Sequence, residues 1–232
     1  MTIHFVLSHP AVSENIGFAC RAINTMGFGS LRLVNPTDHL SQQAKKTAYG
    51  SHDILENAVV YSSLADALSD IDFSIATTAK KRLGRHDYHS PGKVSNLLQE
   101  KGTTINNVAI VFGSERDGLA KEEINLCDII STIPLEAPHP SLNLAQSVLI
   151  YAWELSKISF SAKANPPKEA VEEGVQRALK EKALKVLKDL DVPRQPSLYN
   201  RLKDRLMTAD AEDTKLMLAL ARFIEHRLGA GK

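Results

Sequence analysis

Short runs of apolar residues alternate with segments of helical periodicity through the first 160 positions of the chain. The apolar runs predict six strands, at 3–7, 31–34, 59–62, 73–77, 108–112 and 129–133. Helical spacing of apolar positions predicts helices between them, near 14–27, 38–46, 64–70, 90–100, 119–125 and 142–158. This alternation is typical of βαβ units, whose strands run parallel. We therefore expect an α/β fold built on a largely parallel sheet over residues 1–160.

The composition of the chain changes after the last of these helices. Residues 161–167 contain two prolines and predict a linker, and residues 168–232 predict a small all-helical extension. Within the extension, apolar residues recur at helical spacing near 175–190 and 216–228. Helices of this size make little core by themselves. We therefore expect the extension to pack on the first domain or on a partner subunit.

Composition and charge predict the cellular compartment of the protein and the class of partner that it binds. The 232 residues are 43% apolar and 24% charged, as in an ordinary soluble globular protein. Residues 1–160 contain 13 Lys and Arg against 16 Asp and Glu, whereas residues 161–232 contain 15 against 11, which is a mild indication of an anionic partner. Cys20 and Cys127 have no metal-ligand spacing, which indicates a reducing compartment. The sequence shows no basic leader and no long apolar stretch, so we expect a cytoplasmic protein with no membrane partner.

Three polar segments follow predicted strands, where ligands bind in open parallel sheets. The first, residues 8–24, opens a helix for which Ser13 is the expected N-cap. Gly17, Arg21 and Asn24 share the helix face opposite the apolar one. Arg21 is either a ligand-binding side chain or a solvated arginine on an ordinary amphipathic helix. Because glycine inside a helix costs about 1 kcal/mol, Gly17 favours the close approach of another group.

The second and third segments combine a glycine-bounded turn with a capped helix. Residues 110–119 run from a buried strand into a turn between Gly113 and Gly118, which leaves backbone amides able to face a ligand. A charged surface turn is the alternative interpretation. Residues 133–148 run from a strand into a helix for which Ser141 is the expected N-cap. The glycine fingerprints of dinucleotide-binding and P-loop proteins are missing, which disfavours both classes.

Taken in order, the three segments resemble the motifs of the SPOUT superfamily of methyltransferases, in particular its TrmH-like branch of RNA ribose 2′-O-methyltransferases. The matching pieces are N-I-G-x-x-x-R-A at 15–22, F-G-x-E-x-x-G-L at 112–119 and I-P-L…S-L-N-L-A-Q-S at 133–147. The resemblance covers about residues 3–158. It implies an α/β domain with a C-terminal trefoil knot, S-adenosylmethionine as cofactor and a homodimer. The chain has a basic helical tail and no N-terminal RNA-binding extension. In both features it resembles the enzymes of this branch that methylate ribose 32 in the tRNA anticodon loop.

The resemblance also implies roles for individual residues. The cofactor-binding positions that match the family are Thr77, Thr78, Ala79, Gly113, Ile133, Ser141, Leu142 and Asn143. The catalytic positions that match are Arg21, Asn15, Glu115 and Asn143. A guanidinium stays protonated in proteins, so we expect Arg21 to bind a phosphate and stabilise alkoxide charge rather than act as a base. Ser141 either contacts the cofactor or caps its helix. A sulfonium is already a good leaving group, so no metal is expected.

Two basic clusters could bind an RNA backbone. The first directly follows the cofactor loop and joins Arg21 as an RNA-binding prediction; it comprises Lys80, Lys81, Arg82 and Arg85, with His86. The second lies in the extension, where a solvated helix face is the alternative; it comprises Lys180, Lys182, Lys185, Lys188, Arg194, Arg201, Lys203 and Arg205. The helix at 142–158 is apolar nearly all round, which predicts burial in the core or in a dimer interface.

The leading interpretation is thus a homodimeric, metal-independent tRNA ribose 2′-O-methyltransferase. Ribosomal RNA is an alternative substrate that the motifs do not separate from tRNA. A non-catalytic RNA-binding protein of the same fold is a second alternative, against which the intact Asn15, Arg21, Glu115 and Asn143 count. A Rossmann-type enzyme acting on a small ligand is disfavoured by the missing glycine fingerprint.

Overall fold

A parallel sheet forms the centre of the computed structural model, which describes residues 1–79, 88–136, 141–164, 174–194 and 196–229. The strands are β1 (Thr2–Ser8), β2 (Ser30–Val34), β3 (Val59–Tyr61), β4 (Phe73–Thr77), β5 (Tyr88–His89), β6 (Asn107–Phe112) and β7 (Ile129–Ser131). Their order across the sheet is β3-β2-β1-β6-β4-β7-β5. Each neighbouring pair is parallel. The predicted α/β fold on a parallel sheet is confirmed.

The helices follow the predicted alternation with two differences. They are α1 (Ser13–Thr25), α2 (Gln42–Thr47), α3 (His52–Glu56), α4 (Leu64–Ala67), α5 (Pro91–Lys101), α6 (Lys121–Leu126), α7 (Leu144–Ala164), α8 (Val175–Asp189), α9 (Pro196–Met207) and α10 (Ala211–Gly229). The sequence patterns did not predict β5 or α3. Both elements are too short to show a periodicity of their own.

Alternate residues of β1 contribute to two cores on opposite faces of the sheet. Phe5 and Leu7 pack beneath α1, α2, α5 and α7, whereas Val6 packs with residues of α4 and α6. The Phe5 ring stacks on Phe112 of β6 with centroids 6.4 Å apart. Phe112 in turn meets the edge of Tyr151 of α7 at 5.4 Å. These ring contacts fix helix α7 over the central strands of the sheet. The central strands are covered on both faces, so they bury the most apolar surface.

Gly17 allows α1 to pack closely on α2. A Cβ atom at this position would lie 2.1 Å from Thr47 Oγ1 and 2.2 Å from the Ala44 carbonyl oxygen. Asn24, seven residues further along α1, donates from Nδ2 to the Gly50 carbonyl oxygen at 2.8 Å. The helix face that carries Gly17 and Asn24 therefore lies against α2 and the turn after it. The group that approaches Gly17 is a neighbouring helix.

Helices α8, α9 and α10 attach to the sheet domain through polar contacts and a small core. The buried apolar residues of that core are Val175, Leu179, Ala183 and Leu218. Lys101, at the end of α5, is fully buried and donates to Gln176 Oε1 at 3.1 Å and to the Ala209 carbonyl oxygen at 2.9 Å. The extension therefore packs on the first domain, one of the two placements expected from its small apolar faces.

Helix α7 continues to Ala164, so the first four residues of the predicted linker 161–167 are helical. The rest of that linker lies outside the described residues. We propose the division into a sheet domain over 1–160 and a helical extension over 168–232 on the composition change alone. The trefoil knot also stays a prediction, because the chain between 136 and 141 lies outside the described part.

Candidate active site

A cavity of about 200 Å³ opens at the carboxyl ends of β4, β6 and β7. Its walls include seven of the eight predicted cofactor-binding residues: Thr77, Thr78, Ala79, Gly113, Ile133, Ser141 and Leu142. The eighth, Asn143, lines a neighbouring groove instead. The fold thus brings together segments that are far apart in the sequence, at the edge of the sheet where ligands of open α/β proteins bind.

Hydrogen bonds between strands hold the walls of this cavity. Thr77 Oγ1 donates to the Val111 carbonyl oxygen at 2.9 Å, and the Thr78 amide donates to the Ser131 carbonyl oxygen at 3.0 Å. Tyr151 of α7 lines the cavity and donates its hydroxyl hydrogen to Ser131 Oγ at 2.6 Å. Burial raises the pKa of Tyr151 above its usual value, so the phenol stays a neutral donor.

Gly113 is required by the loop after β6, because the backbone of the same loop fills the space that a side chain would need. A Cβ atom on Gly113 would lie 2.1 Å from the backbone of both Gly118 and Leu119. Ser114 and Gly118 form an antiparallel bridge, and Gly118 has φ +71°, a conformation that favours glycine. The loop therefore closes on its own backbone. The sequence pattern suggested that the Gly113 backbone faces a ligand, whereas the group that fills the space beside its Cα is the chain itself.

A chain of side-chain hydrogen bonds connects the three polar segments. Asn15 of α1 is 7% exposed and donates from Nδ2 to Glu115 Oε1 at 2.8 Å. Asn15 Oδ1 accepts a hydrogen bond from Asn143 Nδ2, also at 2.8 Å. The second oxygen of Glu115 accepts from the Ala11 amide at 2.9 Å. Three of the predicted catalytic residues therefore form one network between α1, the loop after β6 and the start of α7.

Arg21, the fourth predicted catalytic residue, lies outside this network. It is exposed and lines a groove between α1 and α7. The other residues of the groove are Asn15, Phe18, Ala22, Thr25, Asn143, Ala145, Gln146 and Leu149. The guanidinium forms no hydrogen bond or ion pair with any described residue. Because Asn15 and Asn143 line the groove while Glu115 lines the cavity, the network separates two adjoining spaces.

Both predicted helix caps are wrong, and one correction changes the site. Ser13 is the first residue of α1, and its hydroxyl donates to the Asp38 carbonyl oxygen at 3.0 Å. Helix α7 begins at Leu144, so its N-cap is Asn143, whose Oδ1 accepts from the Ala145 amide at 2.8 Å. Ser141 is therefore free of capping and lines the cavity. Asn143 both caps α7 and holds Asn15, which fixes the entry of α7 relative to α1.

Gln146, Ala11 and Tyr151 make hydrogen bonds in the site and were not predicted. Gln146 accepts from the Asn143 amide at 3.1 Å, which completes a capping box. The pattern of Asn followed three residues later by Gln could have revealed it. The Ala11 amide and Tyr151 carry no such signal. Their roles depend on contacts with Glu115 and Ser131, which are distant in sequence.

The predicted RNA-binding cluster Lys80, Lys81, Arg82, Arg85 and His86 lies outside the described residues. In the extension, four of the lysines are engaged within the protein. Lys180 pairs with the buried Asp128 at 2.9 Å. Lys203 donates to the Cys127 carbonyl oxygen at 2.8 Å. Lys182 and Lys185 both donate to Glu225. Lys185 is exposed despite its ion pair, and Lys188, Arg201 and Arg205 of this cluster are exposed as well.

The comparisons with known proteins agree on one family. The model of the SpoU rRNA methylase family matches residues 2–153. A protein of Escherichia coli named uncharacterized tRNA/rRNA methyltransferase LasT is 38% identical over 229 residues, which cover 98% of this chain and 99% of that protein. The tRNA (cytidine-2′-O-)-methyltransferase TrmJ of Methanocaldococcus jannaschii is 33% identical over 153 residues, 66% of each chain. The crystal structure of TrmJ from Z. mobilis covers 98% of this chain and 99% of its own, with a TM-score of 0.64 and 28% identity.

The parallel α/β fold and these relatives identify the protein as a methyltransferase, and the chain belongs to the SpoU rRNA methylase family. In the described part of the chain, no helix has the length and hydropathy that a membrane crossing requires. Among the same residues, no three His, Cys, Asp or Glu side chains are grouped as metal ligands.

Proposed function

We propose that this protein transfers a methyl group to the 2′-hydroxyl of a ribose in tRNA, at position 32 of the anticodon loop. The observation that carries the proposal is the Asn15–Glu115–Asn143 network, which lies between the groove of Arg21 and the cavity at the strand ends. Support for tRNA comes from the relatives named TrmJ, which are 33–35% identical over about 153 residues.

The cavity has the chemistry needed for S-adenosylmethionine. Apolar side chains that suit an adenine ring line it: Phe112, Leu119, Leu135, Leu144 and Tyr151. Glu115 and Asp117 place two carboxylates at the same cavity against one cation, Arg116, and this excess of negative charge suits a cationic ligand. When bound, this cofactor would supply a methyl group from its sulfonium: the ribose oxygen bonds to the methyl carbon as the carbon–sulfur bond breaks, S-adenosylhomocysteine leaves, and the hydroxyl proton passes to solvent. The family and the lining residues thus favour the same cofactor.

The residues of the groove, together with Glu115, bind and position the ribose. Arg21 is the catalytic residue of the proposal: its guanidinium binds a phosphate of the target nucleotide bidentately and stabilises the charge that develops on the ribose oxygen. Alignment of the hydroxyl with the methyl carbon supplies a large share of the acceleration. Both oxygens of Glu115 accept N–H bonds, from Asn15 and from the Ala11 amide, so Glu115 acts as an anchor for α1 and not as a base. Asn15 and Asn143 are positioning residues on either side of that anchor.

The proposal includes a homodimer formed through α1 and α7. Three large apolar side chains are exposed there: Phe18 at 46%, Leu149 at 42% and Trp153 at 56%. Helix α7, predicted to be buried in the core or in a dimer interface, is buried along one side, at Leu144, Val148, Tyr151, Ala152, Leu155 and Ser156, and exposes Leu149 and Trp153. A second copy of the chain covering the exposed side would bury the remaining stripe. Light scattering at micromolar concentration should then give about twice the 25.5 kDa chain mass; a stable, active monomer would contradict this part of the proposal.

Incubation of the dimer with labelled S-adenosylmethionine and separate pools of tRNA and ribosomal RNA tests the substrate. We expect mass spectrometry of the nucleosides to detect 2′-O-methylation in tRNA, and a tRNA with 2′-deoxyribose at position 32 to be inert. Methylation of ribosomal RNA alone would favour the alternative substrate, which the description of the matching family mentions. The reaction should proceed in the presence of a metal chelator. Absence of methylation in both pools, with cofactor binding retained, would favour the non-catalytic alternative. The expected compartment, the cytoplasm, follows from this substrate.

A further inference from the structure

An exposed aromatic side chain stands at the end of α2, on the side of the molecule that carries Arg21. Tyr49 is 76% exposed, a larger fraction than for any other large apolar or aromatic residue in the part of the chain that the structure describes. It lies between the buried Ala48 and Gly50, whose φ of +73° turns the chain toward α3. A tyrosine ring in this position contributes little to the core. It presents an aromatic face to solvent.

The backbone beneath this ring is fixed to α1. Thr47 Oγ1 donates to the Glu14 carbonyl oxygen at 2.9 Å, and Asn24 Nδ2 donates to the Gly50 carbonyl oxygen at 2.8 Å. These two hydrogen bonds hold the residues on either side of Tyr49. The close packing of α1 and α2 at Gly17 adds a third constraint. The ring is therefore exposed on a rigid support, which lowers the entropy lost when a ligand stacks on it.

The same hydrogen bond places the turn beside Arg21. Asn24 follows Arg21 by three residues on α1, and side chains at this spacing are neighbours on a helix surface. The turn that Asn24 holds therefore lies next to the exposed guanidinium. Tyr49 and Arg21 thus belong to one face of the molecule, formed by α1 and the end of α2.

The charge of this face favours an anionic ligand. Residues 39–52 contain Lys45 and Lys46 and no carboxylate. Both lysines are exposed on α2. The nearest acidic residues in the sequence, Asp38 and Asp53, lie at the two ends of this stretch. Together with Arg21, the segment brings three exposed cations to the face that carries the Tyr49 ring, against one carboxylate, Glu14 of α1, whose carbonyl oxygen accepts from Thr47.

We propose that Tyr49, Lys45 and Lys46 form a binding surface for single-stranded RNA next to the methylated ribose. A nucleobase flanking the target stacks on the Tyr49 ring, and the two lysines bind phosphates of the same strand. An aromatic ring among cations is the usual arrangement in proteins that bind single strands, because every base offers a face for stacking. The inference rests on the proposed function, since it assigns a surface through which that activity binds its RNA.

Binding and kinetics of Tyr49 variants test the surface. For Tyr49→Ala, we expect roughly tenfold weaker tRNA binding in fluorescence anisotropy and a higher KM for tRNA, with kcat and cofactor affinity nearly unchanged. Tyr49→Phe should bind as the wild type does, because the stacking face is kept. The matched control is Leu126→Ala, a substitution of a 45% exposed residue on the opposite side of the sheet. The double variant Lys45→Gln, Lys46→Gln should make tRNA binding less dependent on salt. The slope of log binding constant against log salt concentration should become shallower by about 0.7 for each lost phosphate contact.

Four outcomes would overturn the inference. If Tyr49→Ala binds tRNA as tightly as the wild type, or if Leu126→Ala loses as much tRNA affinity as Tyr49→Ala, the ring does not contact RNA. An equal loss in Tyr49→Phe would exclude stacking. A change from dimer to monomer in Tyr49→Ala would assign the ring to a subunit interface. In these cases the wild type still methylates RNA and the proposed function stands; a wild type that neither methylates nor binds RNA removes both.

Discussion

Arg21 and Lys101 are both cations at helices of the sheet domain, but their surroundings are opposite. Arg21 is exposed in the groove between α1 and α7, and its guanidinium has no partner in the described part of the chain. Lys101 is fully buried, donates to Gln176 Oε1 and the Ala209 carbonyl oxygen, and lies 5.0 Å from the centre of the Phe73 ring. Neither of its hydrogen-bond acceptors carries a charge.

This difference separates a cation available to a ligand from one committed to the structure. Around Arg21, the neighbouring polar groups bond to one another through the Asn15–Glu115–Asn143 network and leave the guanidinium unpaired. Around Lys101, burial lowers the pKa from its usual 10.5 to about 8, although Asp128 and Asp210 act in the opposite direction. The first arrangement favours binding of an anion. The second connects the extension to the sheet domain at the cost of desolvating a charge.

The largest expected effect is on catalysis by Arg21→Ala. Methylation should fall roughly a hundredfold or more, because a charged group that stabilises the transition state is lost. Unfolding free energy should change by less than about 0.5 kcal/mol, since the side chain is exposed and unpaired. Arg21→Lys should recover little, because an ammonium does not reproduce bidentate binding. Single-turnover assays and urea unfolding measure these effects, with the exposed Arg222→Ala as the control. If Arg21→Ala retains most of its activity, Arg21 is not the catalytic residue. If the variant unfolds, Arg21 is a structural cation, as Lys101 is.

An intermediate effect is expected for Glu115→Ala. The substitution leaves the buried Asn15 amide without its acceptor, which should cost about 1–3 kcal/mol of unfolding free energy. Activity should fall roughly tenfold because α1, and Arg21 with it, loses its anchor to the loop after β6. Glu56→Ala, at the exposed end of α3, is the matched control for removal of a carboxylate. If stability falls while kcat is unchanged, the network holds the fold without positioning Arg21.

The smallest expected effect is the pH dependence contributed by Lys101. Its folded-state pKa of about 8 lies below the usual 10.5, so the unfolded chain binds more protons between these values and stability rises with pH there. The buried thiols of Cys20 and Cys127 act in the opposite direction, since burial raises each pKa from 9.0 to about 12. The difference in unfolding free energy between the wild type and Lys101→Met isolates the lysine. From pH 8 to pH 9, the unfolding free energy of the wild type should rise by about 1 kcal/mol relative to that of Lys101→Met. A difference that is flat with pH would mean that Lys101 is solvated in solution.

The sequence predicted most of the fold because its strands and longer helices carry clear periodicities. The resemblance to the SPOUT motifs, and not the local pattern, named seven of the residues that line the cavity. The reasons for the two glycines were different from those expected. Gly17 accommodates α2 and Gly113 accommodates the backbone of its own loop, and both approaches come from residues that the local pattern does not include.

By itself the sequence determined the alternation of elements, the order of the three polar segments and the residue types available for chemistry, because these depend on local periodicity and composition. Only the tertiary structure decided which residues are partners. Asn15 bonds to residues 100 and 128 positions away, and no local property of the chain encodes that pairing. Lys101 has the pattern of a solvated lysine in the last turn of a helix, yet it is buried because α8 and the segment before α10 cover it. Burial and pairing are set by the packing of distant segments, and in this protein they distinguish the free cation from the structural one.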